Sequence, residues 1–232
     1  MMPGSNAVCI EQALLKISER YRDKKTFLDL GCGDGMKTVL FAAFDRCVTG
    51  VDRMEWLHPA TRTGIRFHQE DFLTGRLSLP DKSFDLILSF DVIEHLPDPT
   101  PMLKEIARLL RDDGVLILST PNRLRIGGVV LSLLGRRTFP WYPNPANREI
   151  DPYCGHVREY TMRETERTLN REGFSVVRKH RLFYGMGGFG LFALGPMPFY
   201  HNIIVECVKS ESGYTSQHGA HGGPTVSSAH CP

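Results

Sequence analysis

The stretch FLDLGCGDG, Phe27 to Gly35, places Asp29 ahead of Gly31, Gly33 and Gly35, with Asp34 between the last two. Apolar residues flank Asp29, so the segment reads as a buried strand opening into a turn with little side chain. Gly31 and Gly33 let the backbone approach a ligand closely and adopt conformations closed to other residues. Such a turn, at the carboxyl end of a strand in an open α/β sheet, is where a ligand sits. Two further acids end apolar runs: Asp52 closes CVTGVD, and Asp71 lies at the end of GIRFHQEDF. His95 in DVIEHL and His156 in GHVREY are the side chains able to move a proton near neutral pH.

Two ligand chemistries compete for the glycine turn. A dinucleotide site uses GxGxxG, whose third small residue lets strand and helix pack around a pyrophosphate. Here that position is Met36. Asp29 and Asp34 beside a helix start would repel a pyrophosphate, but suit a ligand presenting an ammonium and a sulfonium. S-adenosylmethionine has both and carries no phosphate. Plainer readings stand beside these. Asp34 could cap the following turn, Asp52 and Asp71 could be solvated strand-end and loop acids, and Cys32 could be core filler.

The elements that must hold these residues follow from periodicity. Val8 to Arg22 has one apolar face with Ile10, Leu14, Ile17 and Tyr21. TFLDLG, CVTGVD, GIRFHQEDF, SFDLILSF and VLILSTPN read as five strands. MKTVLFAAFDR after the glycines has helical spacing, as does PTPMLKEIARLLRDDG, ended by Gly114. Alternating strands and helices imply parallel βαβ units and a doubly wound sheet, and near-continuous apolar strands fit a sheet covered on both faces. TMRETERTLNREG predicts a helix with a Thr161–Glu164 capping box, closed by Gly173. FSVVRKHRLFY and NIIVECVKS read as two closing strands.

Length and composition bound the class. The chain has 232 residues, 41% hydrophobic and 23% charged, with a net charge of +2. That is one ordinary globular domain with additions, and the balance gives no push towards nucleic acid. No run reaches membrane-spanning length, and MMPGSNAVCIEQ does not read as a signal peptide, so a cytoplasmic protein is expected. The six cysteines form no CxxC pair, which predicts reduced thiols and no metal site. Glu211 to Pro232 has almost no large apolar residue and reads as a disordered tail after a domain spanning 1–210.

Taken together, LDLGCGDG, VTGVD, EDF, SFDLILSFDVIEHL and LLRDDGVLILSTPN closely resemble the class I S-adenosylmethionine-dependent methyltransferases, of the small-molecule type acting in ubiquinone and in sugar or natural-product pathways. The resemblance is good from Thr26 to Asn122 and looser to Ser210. It implies a Rossmann-like, mostly parallel seven-stranded sheet with an antiparallel C-terminal strand and a lid or insert after strand five. It also implies roles. Asp29, Gly31 and Gly33 would line the methionine end of S-adenosyl-L-methionine, whose product is S-adenosyl-L-homocysteine. Asp52 would take the ribose hydroxyls, with Arg53 beside it. Asp71 would meet the adenine amino group and Phe72 the ring face. Phe90, Asp91 and Val92 would border the methionine moiety, with His95 a turn further on.

Methyl transfer from a sulfonium is an in-line displacement, so alignment supplies much of the catalysis, and a base is needed only where the acceptor must lose a proton. His156 and His95 are the candidate bases; a capping or core role for His95 is the plainer alternative, and Glu94 reads as a salt-bridged helix-start residue. The acceptor side falls in an insert over 123–160. Within it, RLRIGGVVLSLLGRR predicts a lid helix, the alternative being an interfacial helix for a lipid-linked acceptor. The leading expectation is O-methylation of a small molecule. An NAD-dependent oxidoreductase and a non-catalytic binding module are the other readings. A nucleic-acid methyltransferase is disfavoured, because SFDVIEHL stands where an NPPY-like segment would.

Overall fold

A computed structural model of the chain describes residues 5–73, 75–135, 155–183 and 200–210. Helix α1 spans Ser5–Arg20 and strand β1 Thr26–Leu30. Strands β2 (Cys47–Asp52), β3 (Arg66–Gln69) and β4 (Phe84–Phe90) follow. Helix α2 (Thr100–Leu109) leads into β5 (Leu110–Pro121), and α3 covers Ile126–Leu133. Helix α4 (Met162–Arg171), β6 (Phe174–Leu182) and β7 (Asn202–Lys209) complete the described chain.

The seven strands form one sheet in the order β3-β2-β1-β4-β5-β7-β6. The first five are mutually parallel, and β7 runs antiparallel between β5 and β6. This is the doubly wound, mostly parallel sheet that the sequence pattern implies. All seven residues of β4 are buried, as a central parallel strand covered on both faces requires. The order reverses between β1 and β4, and the carboxyl ends of those two strands flank the crevice of such a fold.

Three elements differ from the periodicity. The helix expected after the glycine turn is a single 3-10 turn, Thr38–Phe41. Phe44 and Asp45 have φ of 67° and 52°, which no right-handed helix admits. Buried Arg46 fixes that bend: its guanidinium donates to the carbonyls of Ser18, Tyr21, Lys24 and Phe41 and to Ser18 Oγ. Phe41 then stacks on Phe27 of β1, ring centroids 4.7 Å apart. Second, α2 stops at Leu109 instead of running to Gly114, because Leu110 pairs with Phe84 in the sheet. A Cβ on Gly114 would lie 2.7 Å from the Leu110 side chain, so the glycine makes room for that strand start. Third, β3 ends at Gln69, leaving Asp71 in the following turn.

The capping box of α4 is present. Thr161 Oγ1 accepts from Glu164 N, and Thr161 N donates to Glu164 Oε2. Gly173 follows with φ of 82°. Buried Glu206 on β7 accepts from Tyr21 Oη at 2.6 Å and pairs with Arg20 and His180, pinning α1 to the antiparallel edge. Cys9, Cys32 and Cys207 are free thiols, whereas Cys47 is disulfide-bonded, against the expectation of reduced thiols throughout. No described helix is long and apolar enough to cross a membrane. Most of the predicted insert (136–154), the apolar 184–199 segment and the 211–232 tail lie outside the described residues.

Candidate functional site

The crevice is built where β1 turns. Gly31 N and Cys32 N both donate to Val51 O, so the turn is fastened to β2. Gly31 has φ of 84°, and a Cβ there would lie 2.5 Å from Val92 Cγ2. Glycine is therefore demanded twice at this position, by conformation and by the close approach of the β4 exit. Gly33 differs: its φ is 51°, and a Cβ would meet nothing within 4 Å. Backbone here faces open space, the property a ligand cradle needs. Asp52, at the end of β2, turns its carboxylate onto this backbone. Gly33 N donates to Asp52 Oδ2 at 2.9 Å and Met54 N to Oδ1 at 3.3 Å. A carboxylate accepts about four hydrogen bonds, so Asp52 keeps capacity for sugar hydroxyls.

Asp29 is buried, and Thr38 Oγ1 donates to its Oδ2 at 2.6 Å. Its other oxygen, Oδ1, is buried without a partner. Burial pushes this carboxyl up to about 7, and Asp52 and Asp34 add to the rise. An orphaned buried carboxylate oxygen costs free energy unless a donor or cation reaches it. Asp34 is exposed and accepts from Met36 N at 3.0 Å, so it serves the turn itself. Cys32 is buried core filler whose thiol is pushed up by desolvation.

The β4 exit supplies the opposite wall. Phe90 is buried, and Asp91 has φ of 57°, a strained value for a side-chain-bearing residue. Ser119 Oγ and Asn202 Nδ2 donate to Asp91 Oδ1 at 2.7 and 3.2 Å and hold it there. Val92 packs against Gly31. Asp71 accepts from Leu73 N at 2.8 Å and so organises its own turn. Phe72 is buried in the main core, and it lines a cavity of about 430 Å³ with Lys104, Glu105 and Arg108 of α2. Gln69 Nε2 donates to the Arg53 carbonyl at 3.2 Å, tying the β2 exit to β3.

A second cluster lies further along the β4 exit. The rings of His95 and His156 meet edge to face, 5.0 Å between centroids. Gly155 O lies 3.2 Å from His95 Nδ1, and Glu94 O accepts from Val157 N and Arg158 N. His156 Nδ1 is 3.3 Å from Glu159 Oε1, and both side chains are buried. Arg125, at the start of α3, binds Glu159 with two bonds of 2.7 Å. Glu94 is fully buried; Oε2 accepts from Thr120 Oγ1 at 3.0 Å, and Oε1 has no partner. Burial, then the charge of Asp91, pushes its carboxyl well above the usual range. Ligand atoms of Glu94, His95 and His156 lie within 4.8 Å of one another.

The sequence brings the two histidines forward separately and predicts a salt-bridged helix start at Glu94. The structure instead buries Glu94 beside them. It adds Glu159 and Thr120, and it draws in Arg125, one of the arginines flanking the predicted lid helix. Arg125 and Glu159 are 34 residues apart, so their pairing has no local signature, although Glu159 stands three residues after His156 in GHVREY.

Residues 6–179 match the family model described as a methyltransferase domain. The chain belongs to the methyltransferase domain family. It is 34% identical over 163 residues to a protein of Mycolicibacterium smegmatis named a probable S-adenosylmethionine-dependent methyltransferase, covering 69% of this chain and 56% of that protein. It is 35% identical over 109 residues to a ubiquinone biosynthesis O-methyltransferase of Actinobacillus pleuropneumoniae, 43% of this chain and 47% of the relative. The chain thus spans about half the length of these curated relatives. In fold it is similar to the 1,6-didemethyltoxoflavin N1-methyltransferase of Burkholderia thailandensis, solved with S-adenosylhomocysteine, at TM-score 0.59 and 21% identity, covering 87% of this chain and 78% of that one. It is also similar to the magnesium protoporphyrin IX methyltransferase of Synechocystis at TM-score 0.60 and 19% identity, covering 89% and 86%.

S-adenosylmethionine is the cofactor that the name of the Mycolicibacterium smegmatis relative carries. The described residues fit it. Gly33 offers bare backbone to open space, Asp52 offers a carboxylate at the strand-two end, and Asp29 offers an unsatisfied acid for a cationic group. A dinucleotide's pyrophosphate would face three acids in the same crevice, and the oxidoreductase reading is set aside.

Proposed function

We infer that the chain transfers a methyl group from S-adenosylmethionine to a hydroxyl of a small molecule. The observation that carries the acceptor side is the chain from half-buried Arg125 to buried Glu159 and His156, ending beside His95 and Glu94. It has the form of an oriented base: a fixed carboxylate holds one ring nitrogen and sets the tautomer, so the other nitrogen can take a proton. Arg125 holds Glu159 through two hydrogen bonds, and a carboxylate held at 3.3 Å from His156 Nδ1 stabilises the imidazolium that forms. When bound, the cofactor supplies an electrophilic methyl on a good leaving group. This chain's residues then have two tasks. Asp29, Gly31, Gly33, Asp52 and Arg53 hold and orient the nucleoside and its amino-acid end, with Asp71, Phe72, Phe90, Asp91 and Val92 around it. His156, with His95 against it, takes the hydroxyl proton as the oxygen attacks.

A hydroxyl needs that assistance far more than a neutral amine or a thiolate, which supports O-methylation. Val130, Leu133 and Leu134 on and after α3 are exposed, Leu133 by 82%, and α3 begins at the Arg125 that joins the cluster. An exposed apolar surface on the helix that follows Arg125 supports an acceptor with an apolar or lipid-linked body. The test is transfer of labelled methyl from S-adenosylmethionine to hydroxylated aromatics, sugars and isoprenoid-tailed phenols. Label retained as an ether on an apolar phenol is the expected result. Label found only on nitrogen, or on none of these acceptors, contradicts the reading.

A further inference from the structure

The methionine end of S-adenosylmethionine bears a carboxylate as well as its two cationic groups. The crevice is rich in acids: Asp29, Asp34, Asp52 and Asp91 surround it, with Glu94 behind. In their ionised form none of these can receive a carboxylate. Lys37 can. It follows the glycine turn and reaches across to the β4 exit, its ammonium 4.5 Å from the centre of the Phe90 ring and 4.0 Å from Asp91 Oδ2. Neither contact is of hydrogen-bond length, and its side chain remains 42% exposed. Burial raises the carboxyls of Asp29, Asp91 and Glu94, and the Lys37 charge offsets part of each rise. Arg53 adjoins Asp52 on the β2 side, and Arg125 is bound to Glu159, so among the described residues Lys37 is the cation over the methionine side. An ammonium parked on an aromatic face beside a distant carboxylate keeps its three donors for a better partner.

We propose that Lys37 receives the carboxylate of the cofactor and makes the site select nucleosides that carry an amino-acid moiety. The proposal rests on the cofactor reading above. The test is calorimetric titration of wild type, Lys37→Met and Lys37→Arg with S-adenosylhomocysteine and with 5′-methylthioadenosine, which lacks the amino-acid end.

Lys37→Met should weaken S-adenosylhomocysteine at least ten-fold, about 1.4 kcal/mol, and 5′-methylthioadenosine less than two-fold. Lys37→Arg should restore most of the loss. Equal losses for both ligands would overturn the assignment, because damage to the turn acts on any nucleoside. Unchanged or tighter S-adenosylhomocysteine binding would also overturn it, showing that Lys37 only occupies the space. If wild type bound neither ligand, the cofactor reading itself would fall, a result distinct from either of these.

Discussion

The two ends of the crevice are assembled in different ways. The proposed nucleoside side is local: Gly33 and Asp52 are 19 residues apart, after adjacent parallel strands whose ends must meet. The proposed acceptor side joins Glu94 and His95 to Gly155, His156 and Glu159, about 60 residues later, with Arg125 from a third segment. The first can be read from a motif because spacing along the chain equals proximity in space. The second exists only after β5, α3 and the bridge between Asn122 and Tyr160 have brought distant segments together.

If the comparison is right, substitutions on the two sides should separate binding from turnover. The largest effect is expected on the acceptor side. His156→Ala should lower kcat by roughly 10²–10⁴-fold, the range for a lost general base, with cofactor Kd within two-fold of wild type. A matched loss of cofactor affinity would move His156 to the nucleoside side and erase the contrast.

Asp52→Asn should do the reverse. It removes the charge and one acceptor but keeps the shape, so cofactor Kd should rise by about ten-fold, the effect of losing a charge-assisted bond of roughly 1.5 kcal/mol. kcat at saturating cofactor should change little. Titration against S-adenosylhomocysteine and steady-state kinetics give the two numbers.

A smaller effect follows from Asp29. Burial lifts its carboxyl to about 7, and a cationic ligand favours the ionised form. Binding then releases a proton, so affinity for S-adenosylmethionine should rise as pH increases from 6 and level off above about 7. Asp29→Asn should flatten that profile. The same shift acts oppositely on folding: the raised carboxyl is comfortable when protonated, so its contribution to stability falls as pH climbs from the unfolded value through 7. The smallest effect expected is none. Dialysis against EDTA should leave turnover unchanged if Glu94, His95 and His156 act by proton transfer; loss restored by a divalent ion would assign the cluster to a metal.

What the sequence revealed follows the same division. All seven strands, the Thr161–Glu164 capping box and the glycine turn are legible because each depends on neighbours a few residues away. The helix after the glycines was misread because Arg46, five residues beyond its end, ties the chain to α1 and forces Phe44 and Asp45 left-handed. Helical spacing in MKTVLFAAFDR could not show that long-range constraint. Glu94 looked like a surface helix start because the burial imposed by Val157, Arg158 and Thr120 has no signature in DVIEHL. Lys37 was invisible for a similar reason: its partner ring, Phe90, lies 53 positions away.

The central claim is that acids around bare backbone at the ends of β1 and β2 select a cationic, phosphate-free nucleoside. Calorimetric titration of the full chain with S-adenosylmethionine and, separately, with NAD tests it most directly. Saturable single-site binding of S-adenosylmethionine with no measurable heat from NAD is the predicted result. Saturable binding of NAD, with S-adenosylmethionine giving none, would contradict it.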